Sequence, residues 1–218
     1  MTERLEIIYG HLDTCTRFAD IGCDHGYITK AMLDGKKCHF AVASDVSNKC
    51  LEKAKALLKD YVEDKKAECL LSDGFDNLPN FFDEALISGM GGEEIVSILR
   101  RAENLPNTLV LQPMKNAEKV REVLLILGYG IVLDYTFYSG GKFYDLIKAV
   151  KGACVKKLNK KQLKYGVDNL KLKPLAFIKK LNARISVLLS CLEDENLSKS
   201  ARKEMKKELK ELKKHVKS

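Results

Sequence analysis

The most constraining feature of this chain is a pair of glycines four residues apart, Gly22 and Gly26, directly after a short apolar stretch. The stretch 17–21 predicts a β-strand, and the residues from about Tyr27 onward predict a helix. A strand, a glycine turn and a helix in this order are typical of an open α/β sheet that binds a nucleotide-type ligand at the turn. The glycines permit a sharp turn and a close approach of the backbone to that ligand.

Acidic residues distinguish this turn from one that binds a dinucleotide. Asp24 stands where the pattern Gly-x-Gly-x-x-Gly has its second glycine, and Asp20 lies just before the turn. Asp45 ends the second predicted strand and Asp73 follows the third, so all four carboxylates should meet at the carboxyl edge of a parallel sheet. Carboxylates favour a cationic ligand over a phosphate. We therefore expect S-adenosylmethionine, which carries an ammonium and a sulfonium, as the cofactor.

Strand-like and helix-like segments alternate up to about residue 150, which indicates βα units. Further strands are predicted at 39–45, 67–72, 84–88 and 108–112, and helices at 48–61, 92–101 and 118–127. Two more strands, 131–138 and 142–150, are separated by only three residues and predict a hairpin. Five βα units closed by an antiparallel pair predict an α/β fold with a Rossmann-like sheet, mostly parallel with one antiparallel strand.

The chain changes character after residue 152, where no strand pattern recurs. Apolar residues three or four apart predict two helices that fold back on each other as an antiparallel coiled-coil hairpin. The stripe of the first helix is Leu175, Ile178, Leu181, Ile185, Leu188 and Leu192; that of the second, after the cap Ser198, is Ala201, Met205, Leu209, Leu212 and Val216. We expect two domains, 1–152 and 153–218, with a basic hinge at 156–161.

The net charge of +8 is divided unequally along the chain. Residues 151–218 contain 18 Lys and 2 Arg against 7 acidic residues, a balance of +13, whereas residues 1–150 carry a balance of −5. This asymmetry favours a body that does chemistry and a tail that holds a polyanion such as RNA. The alternative is a solvated, lysine-rich helical surface without a partner.

Composition also limits the compartment and the partners. No run of about 18 apolar residues exists, and the charged N-terminus lacks the apolar core of a signal peptide. Seven cysteines are scattered without Cys-x-x-Cys pairs, which argues against a disulfide framework and against a zinc site. We expect a cytoplasmic monomer with reduced thiols and with neither a membrane nor a metal as partner.

Several motifs in combination resemble one known family. They are Ala19-Asp20-Ile21-Gly22-Cys23-Asp24-His25-Gly26-Tyr27, Ser72-Asp73-Gly74, Gly89-Met90-Gly91-Gly92, Leu111-Gln112-Pro113, the Arg4-Leu5 opening and Tyr165-Gly166. The chain resembles, over essentially its whole length, the bacterial tRNA adenine-N1 methyltransferases that act on adenosine 22 of the D arm. The resemblance implies a Rossmann-like, S-adenosylmethionine-dependent domain and a C-terminal coiled-coil domain that helps to bind tRNA.

Two positions depart from the family pattern. Cys23 stands where Ser is usual, and this change would be tolerated if the site binds through the backbone amide. Met114 stands where Asn is frequent.

The turn 89–92 lacks both the hydrogen-bond acceptor and the aromatic ring that enzymes use to methylate exocyclic amino groups. Ring N1 of adenine needs neither, because its lone pair already lies in the plane of the ring. The expected reaction is an in-line displacement, in which the enzyme mainly aligns the reacting atoms.

The candidate site residues fall into three groups. The cofactor-binding residues are Asp20, Gly22, Cys23, Asp24, Gly26, Asp45, Val46, Asp73, Gly74, Gly89 and Met90. The substrate-binding residues are Gly91, Gly92, Gln112, Pro113, Asn116, Lys156, Lys157, Lys160 and Lys161, and the catalytic candidates are Asp24, His25 and Tyr27. Two alternatives stay open: a methyltransferase for ribosomal RNA or protein, and a non-catalytic RNA-binding protein with the same fold.

Overall fold

The computed structural model describes residues 1–194 and 196–216. Its centre is a sheet of seven strands: β1 (Cys15–Ile21), β2 (Cys38–Asp45), β3 (Ala67–Leu71), β4 (Glu84–Ser88), β5 (Thr108–Gln112), β6 (Tyr129–Ser139) and β7 (Lys142–Lys151). The strands lie in the order β3-β2-β1-β4-β5-β7-β6. Because β1 lies between β2 and β4, the strand order reverses there, and a crevice opens beyond the carboxyl ends of these strands.

The reversed strand is β7. It runs antiparallel to β5 and to β6, while the other neighbouring strands pair in parallel. The turn between β6 and β7 contains Gly140 and Gly141, both with positive φ (53° and 80°), as a tight hairpin turn requires. The predicted fold class and the predicted hairpin are therefore confirmed.

Six helices cover the two faces of the sheet: α1 (Glu3–Gly10), α2 (Tyr27–Asp34), α3 (Asn48–Leu57), α4 (Lys59–Glu63), α5 (Gly92–Arg101) and α6 (Ala117–Ile126). On one face, Ile8 of α1, Met32 of α2 and Leu51 of α3 belong to a single buried cluster. On the other face, Ile95 of α5 and Val120 of α6 belong to a second cluster. The central parallel strands β1, β4 and β5 are thus covered on both sides, as is usual for α/β folds.

Two details of the predicted βα pattern are wrong. The helix predicted over 48–61 is broken at Leu58, which leaves helical geometry (φ −100°, ψ 9°) and is fully buried beside Gly26. Residues 72–83, all of them described, form turns rather than a helix between β3 and β4.

The C-terminal region consists of α7 (Lys160–Tyr165), α8 (Val167–Leu172), α9 (Leu175–Leu192) and α10 (Lys199–Val216). The predicted antiparallel pair is confirmed, because Arg184 contacts Glu208 at 2.8 Å and Arg202 donates to the Leu192 carbonyl at 2.7 Å. Leu175 is 70 % exposed, so its predicted place in the apolar seam is wrong.

The basic hinge predicted at 156–161 is wrong for residues 160 and 161, which belong to a helix. A capping box between Asn159 and Gln162 starts α7 at Lys160.

The helical region closes the edge of the sheet. The backbone N–H of Asp134 in β6 donates to Asp168 Oδ2, and that of Thr136 donates to Asn169 Oδ1, both at 2.8 Å. Side chains of α8 thereby satisfy edge-strand donors that would otherwise be open to another chain.

Candidate active site

A cavity of about 350 Å³ opens beyond the carboxyl ends of β1, β2, β3 and β4, within the size range of small-molecule sites. Ten of the residues predicted to bind the cofactor line it: Asp20, Gly22, Cys23, Asp24, Asp45, Val46, Asp73, Gly74, Gly89 and Met90. The structure therefore brings together residues that are up to 70 positions apart in the sequence.

The turn after β1 is fixed by the neighbouring strand. The backbone N–H groups of Gly22 and Cys23 both donate to the Ser44 carbonyl, at 2.8 and 2.9 Å. The Cys23 amide is therefore engaged within the protein, contrary to the expectation that it serves a ligand. Gly22 has φ +70°, and a Cβ at this position would overlap the Met90 methyl group. The backbone favours glycine here, and any larger residue would also push the flexible end of the Met90 side chain out of its present position.

The Asp45 carboxylate is held by two backbone N–H donors, one in the turn after β1 and one just before α3. Its Oδ2 accepts from the Asp24 N–H at 3.2 Å, and its Oδ1 accepts from the Ser47 N–H at 2.8 Å. Each carboxylate oxygen keeps a second lone pair, which is available to adjacent hydroxyl groups of a ligand. Asp24 itself has φ +52°, so its backbone adopts the left-handed conformation that turns this N–H toward Asp45.

Asp20 lies beneath the turn and is only 4 % exposed. Burial raises the pKa of Asp20 to about 6, against the opposing effect of the Thr29 hydroxyl, which donates to Oδ2 at 2.8 Å. The cavity is lined in all by five acidic side chains: Asp20, Asp24, Asp45, Asp73 and Glu94. This concentration of carboxylates suits a positively charged ligand.

Asp73 and Gly74, in the loop after β3, line one end of the cavity. Asp73 forms an ion pair with Arg101, which also donates to its carbonyl at 2.8 Å. A Cβ on Gly74 would lie 2.7 Å from Ile98 Cγ2, and φ there is +64°. The loop after β3 is thus pressed against α5, which presents the Asp73 carboxylate at the edge of the cavity.

The three residues predicted around the start of α2 have different positions. Tyr27 lines the cavity and is 48 % exposed. His25 contacts Lys53 at 2.9 Å and Asp24 at 3.4 Å, and it is not among the residues that line the cavity. Gly26 also lies outside the lining, and a Cβ there would be 3.2 Å from the Ala54 Cβ. Gly26 therefore serves the packing of α2 on α3.

The predicted substrate-binding residues lie outside the cavity lining and fall into two groups. Gly91 and Gly92 belong to the turn that follows β4, whereas Gln112, Pro113 and Asn116 come from the end of β5 and the loop after it, and Gln112 is fully buried. The exposed lysines Lys156, Lys157, Lys160 and Lys161 lie around the start of α7. Lys156 and Lys157 line a separate cavity with Leu125, Ile131 and Val132.

Sequence reasoning left α1 out of the site. Arg4 and Leu5 of α1 line the cavity, and Arg4 Nη1 donates to Gln112 Oε1 at 2.6 Å. The signals for this helix were present: Thr2 caps it, and Leu5, Ile8 and Leu12 have helical spacing. Glu94 and Ile98 of α5 also line the cavity, and nothing in the local sequence pattern places them there.

The described residues contain no group of three His, Cys, Asp or Glu side chains that could hold a metal ion. Within the same residues, no helix combines the length and the apolar character needed to cross a membrane.

Comparison with curated proteins gives relatives among tRNA methyltransferases. A Mycoplasma pneumoniae protein assigned provisionally to that class is 41 % identical over 136 residues, which cover 61 % of this chain and 62 % of that protein. The tRNA (adenine(22)-N(1))-methyltransferase of Bacillus subtilis is 25 % identical over 156 residues, covering 70 % of this chain and 66 % of that protein. The chain thus aligns with less than two thirds of the length of these relatives.

Solved structures share the whole fold. M. capricolum TrmK in complex with S-adenosyl-homocysteine superimposes with a TM-score of 0.88 at 21 % identity, covering 99 % of this chain and 97 % of that one. The B. subtilis M1A22 tRNA methyltransferase TrmK gives 0.82 at 23 % identity, covering 99 % and 98 %. The family model TrmK: tRNA (adenine(22)-N(1))-methyltransferase matches residues 18–218. The chain therefore belongs to the TrmK family of tRNA (adenine(22)-N(1))-methyltransferases.

Proposed function

We propose that this protein transfers a methyl group from S-adenosylmethionine to ring N1 of adenosine 22 in tRNA. Membership of the TrmK family supports the reaction and the substrate. The observation in the structure that carries the proposal is the cavity at the strand-order reversal, where five acidic side chains converge on a glycine-lined turn. That cavity suits a ligand that has a cationic end and hydroxyl groups, and S-adenosylmethionine is such a ligand.

S-adenosylmethionine, when bound, supplies a methyl group made electrophilic by the sulfonium. Asp45 would accept hydrogen bonds from the ribose hydroxyls, because its carboxylate is already oriented by two backbone donors. Asp20 and Asp24 would face the ammonium, and Asp73 the adenine amino group. Met90, which lies against Gly22, would pack on the cofactor.

The turn after β4 would admit the substrate base. Gly89, Gly91 and Gly92 carry no side chain, so the edge of an adenine ring is able to approach the backbone closely. Neutral N1 is already a nucleophile, so the work of the protein is to align N1 with the methyl group and to exclude other geometries. Asp24 and Tyr27 line the same cavity and remain our candidates for contacting the reacting groups, with His25 beside them.

N1 takes part in base pairing or tertiary contacts in folded RNA, so the target base has to be exposed at a cost of about a few kcal/mol. Contacts between phosphates and the basic C-terminal region would offset this cost through counterion release. We propose residues 1–152 as the methyltransferase domain and 153–218 as a coiled-coil domain that binds tRNA, with Lys156, Lys157, Lys160 and Lys161 between them. We also propose a cytoplasmic monomer.

A substrate panel tests this function. The protein is incubated with S-adenosylmethionine labelled in the methyl group and, separately, with total tRNA, ribosomal RNA and a protein extract. Label in tRNA alone is the expected result. Label in ribosomal RNA or protein but not in tRNA would contradict the proposal. Binding of tRNA without any transfer would favour a non-catalytic RNA-binding protein.

A further inference from the structure

The cavity contains one basic side chain among its five acidic ones. Arg4 of α1 is the single Lys or Arg among the lining residues of the described chain. Its guanidinium donates to Gln112 Oε1 at 2.6 Å and lies 5.8 Å from the centre of the Tyr144 ring. A guanidinium has five N–H donors, so most of them remain available after the contact with Gln112.

A second cation lies beside the same turn. Arg4 Nη1 is 3.7 Å from where a Cβ on Gly89 would be, and Lys115 Cε is 3.4 Å from where a Cβ on Gly91 would be. The segment that carries Lys115 is tied to the turn, since the Gly92 N–H donates to the Lys115 carbonyl at 2.9 Å. Two positive charges therefore lie close to the glycine turn 89–92.

These two cations differ from their neighbours in forming no ion pair with any described residue, although the Glu93 carboxylate, which is paired with Lys119, also attracts Lys115 at longer range. Arg101 is paired with Asp73 and Asp76, and Lys119 is paired with Glu93. Among residues 1–194 and 196–216, no carboxylate oxygen lies within 4.0 Å of the charged nitrogens of Arg4 or Lys115. Because neither cation is held in an ion pair by the part of the chain that the structure describes, both are able to bind an anion beside the turn.

Positive charge is needed at this position if RNA is the substrate. The acidic lining suits a cationic cofactor, but it repels the phosphates that flank any nucleotide brought to the turn. Arg4 contacts Gln112, the last residue of β5, and lies close to Gly89, which follows β4. Its guanidinium is therefore on the side of the cavity away from the turn after β1.

We propose that Arg4 and Lys115 bind the RNA phosphates on either side of the target nucleotide and hold its base against the glycine turn. This inference rests on the proposed function and names two positioning residues for it. The anion is a phosphodiester of the RNA rather than the carboxylate at the amino-acid end of the cofactor.

Equilibrium binding of tRNA at several salt concentrations tests the inference, with S-adenosyl-homocysteine present so that no turnover occurs. The variants are Arg4→Gln, Lys115→Gln and the charge-retaining Arg4→Lys. Lys59→Gln is the matched control, because Lys59 lies on α4 and already faces Glu63. Each of the first two should weaken tRNA binding by about tenfold and lower the slope of log K against log salt by about one. Arg4→Lys and Lys59→Gln should keep the wild-type slope.

Calorimetry with S-adenosyl-homocysteine separates the two possible anions. We expect all four variants to bind it as the wild type does. Weaker binding of S-adenosyl-homocysteine by Arg4→Gln with an unchanged salt slope would overturn the inference in favour of the cofactor carboxylate. A slope that falls in only one of the two neutral variants, or in neither, would also overturn it. A protein that binds tRNA with these slopes but methylates another position would contradict the proposed function alone.

Discussion

Arg121 and Asp134 form an ion pair in which both side chains are only 1 % exposed. Arg121 Nε donates to both carboxylate oxygens at 3.0 and 2.9 Å, and Nη2 donates to Oδ1 at 2.8 Å. The same side chains reach the helical region, since Arg121 donates to the Leu163 carbonyl and Asp134 accepts from the Val167 N–H. One buried pair thus joins α6 and β6 of the sheet region to α7 and α8.

Replacing Arg121 by methionine should lower the free energy of unfolding by about 3–5 kcal/mol, because it leaves the Asp134 carboxylate buried without its partner. Urea denaturation measures the change. Lys59→Met removes an exposed ion pair and should cost less than about 1 kcal/mol. Adding Asp134→Asn to Arg121→Met should recover part of the loss. A loss below about 1 kcal/mol in Arg121→Met would show that the pair does not hold the junction.

The sheet and the gathering of acidic and glycine residues around one cavity were predictable, because each depends on local pattern. Asp20 and Asp45 lie at the ends of predicted strands, Gly22 and Asp73 directly follow them, and parallel strands bring these ends together. The junction was not predictable, because Arg121 and Asp134 read as surface residues until α7 and α8 cover them. The role of Gly26 was also hidden, since its neighbour Ala54 lies 28 positions away and only packing brings them together.

Gly22→Ala should abolish measurable binding of S-adenosyl-homocysteine by calorimetry. The added methyl group would displace Met90 across the cavity and would strain a backbone with φ +70°. Gly128→Ala is the matched control, because Gly128 has φ +79° and nothing within 4 Å of a Cβ. It should share the backbone strain, at about 1 kcal/mol of stability, and bind the ligand normally. Equal loss of binding in both variants would assign the effect to strain and refute the role of close packing.

Glu84 should make the fold less stable as the pH rises. Burial raises the pKa of Glu84 from 4.5 to about 7, Lys148 only partly opposes this, and Oε1 has no hydrogen-bond partner. Because the folded protein binds the proton more tightly than the unfolded chain, this contribution to stability is present below pH 4.5 and is lost by about pH 7.

Glu84→Gln should therefore match the wild type near pH 4 and be more stable by about 3 kcal/mol at pH 8, as measured by urea denaturation at each pH. Glu63→Gln, an exposed site on α4, should leave the pH profile unchanged. A variant that is less stable than the wild type at pH 8 would mean that the attraction to Lys148 outweighs burial.

The basic face of α10 should contribute to tRNA affinity without affecting the cofactor. Lys203, Lys206, Lys210 and Lys213 are exposed, and exchanging all four for glutamate should weaken tRNA binding by at least about tenfold at low salt. Deleting residues 153–218 would be a poorer test, since it would uncover Asp134 and the edge of β6. Four exchanges on the sheet region, at Lys36, Lys59, Lys65 and Lys66, provide the control. Unchanged tRNA affinity in the α10 variant would favour a solvated surface without a partner.

The most direct test of the proposed reaction is to locate the methyl group. A tRNA transcript with adenosine at position 22 and a matched transcript with guanosine there are each incubated with the protein and S-adenosylmethionine. Nuclease fragments are then analysed by mass spectrometry. We predict 1-methyladenosine at position 22 of the first transcript and no methylation of the second. Equal methylation of both transcripts, or a methyl group on another atom or at another position, would contradict the proposed function.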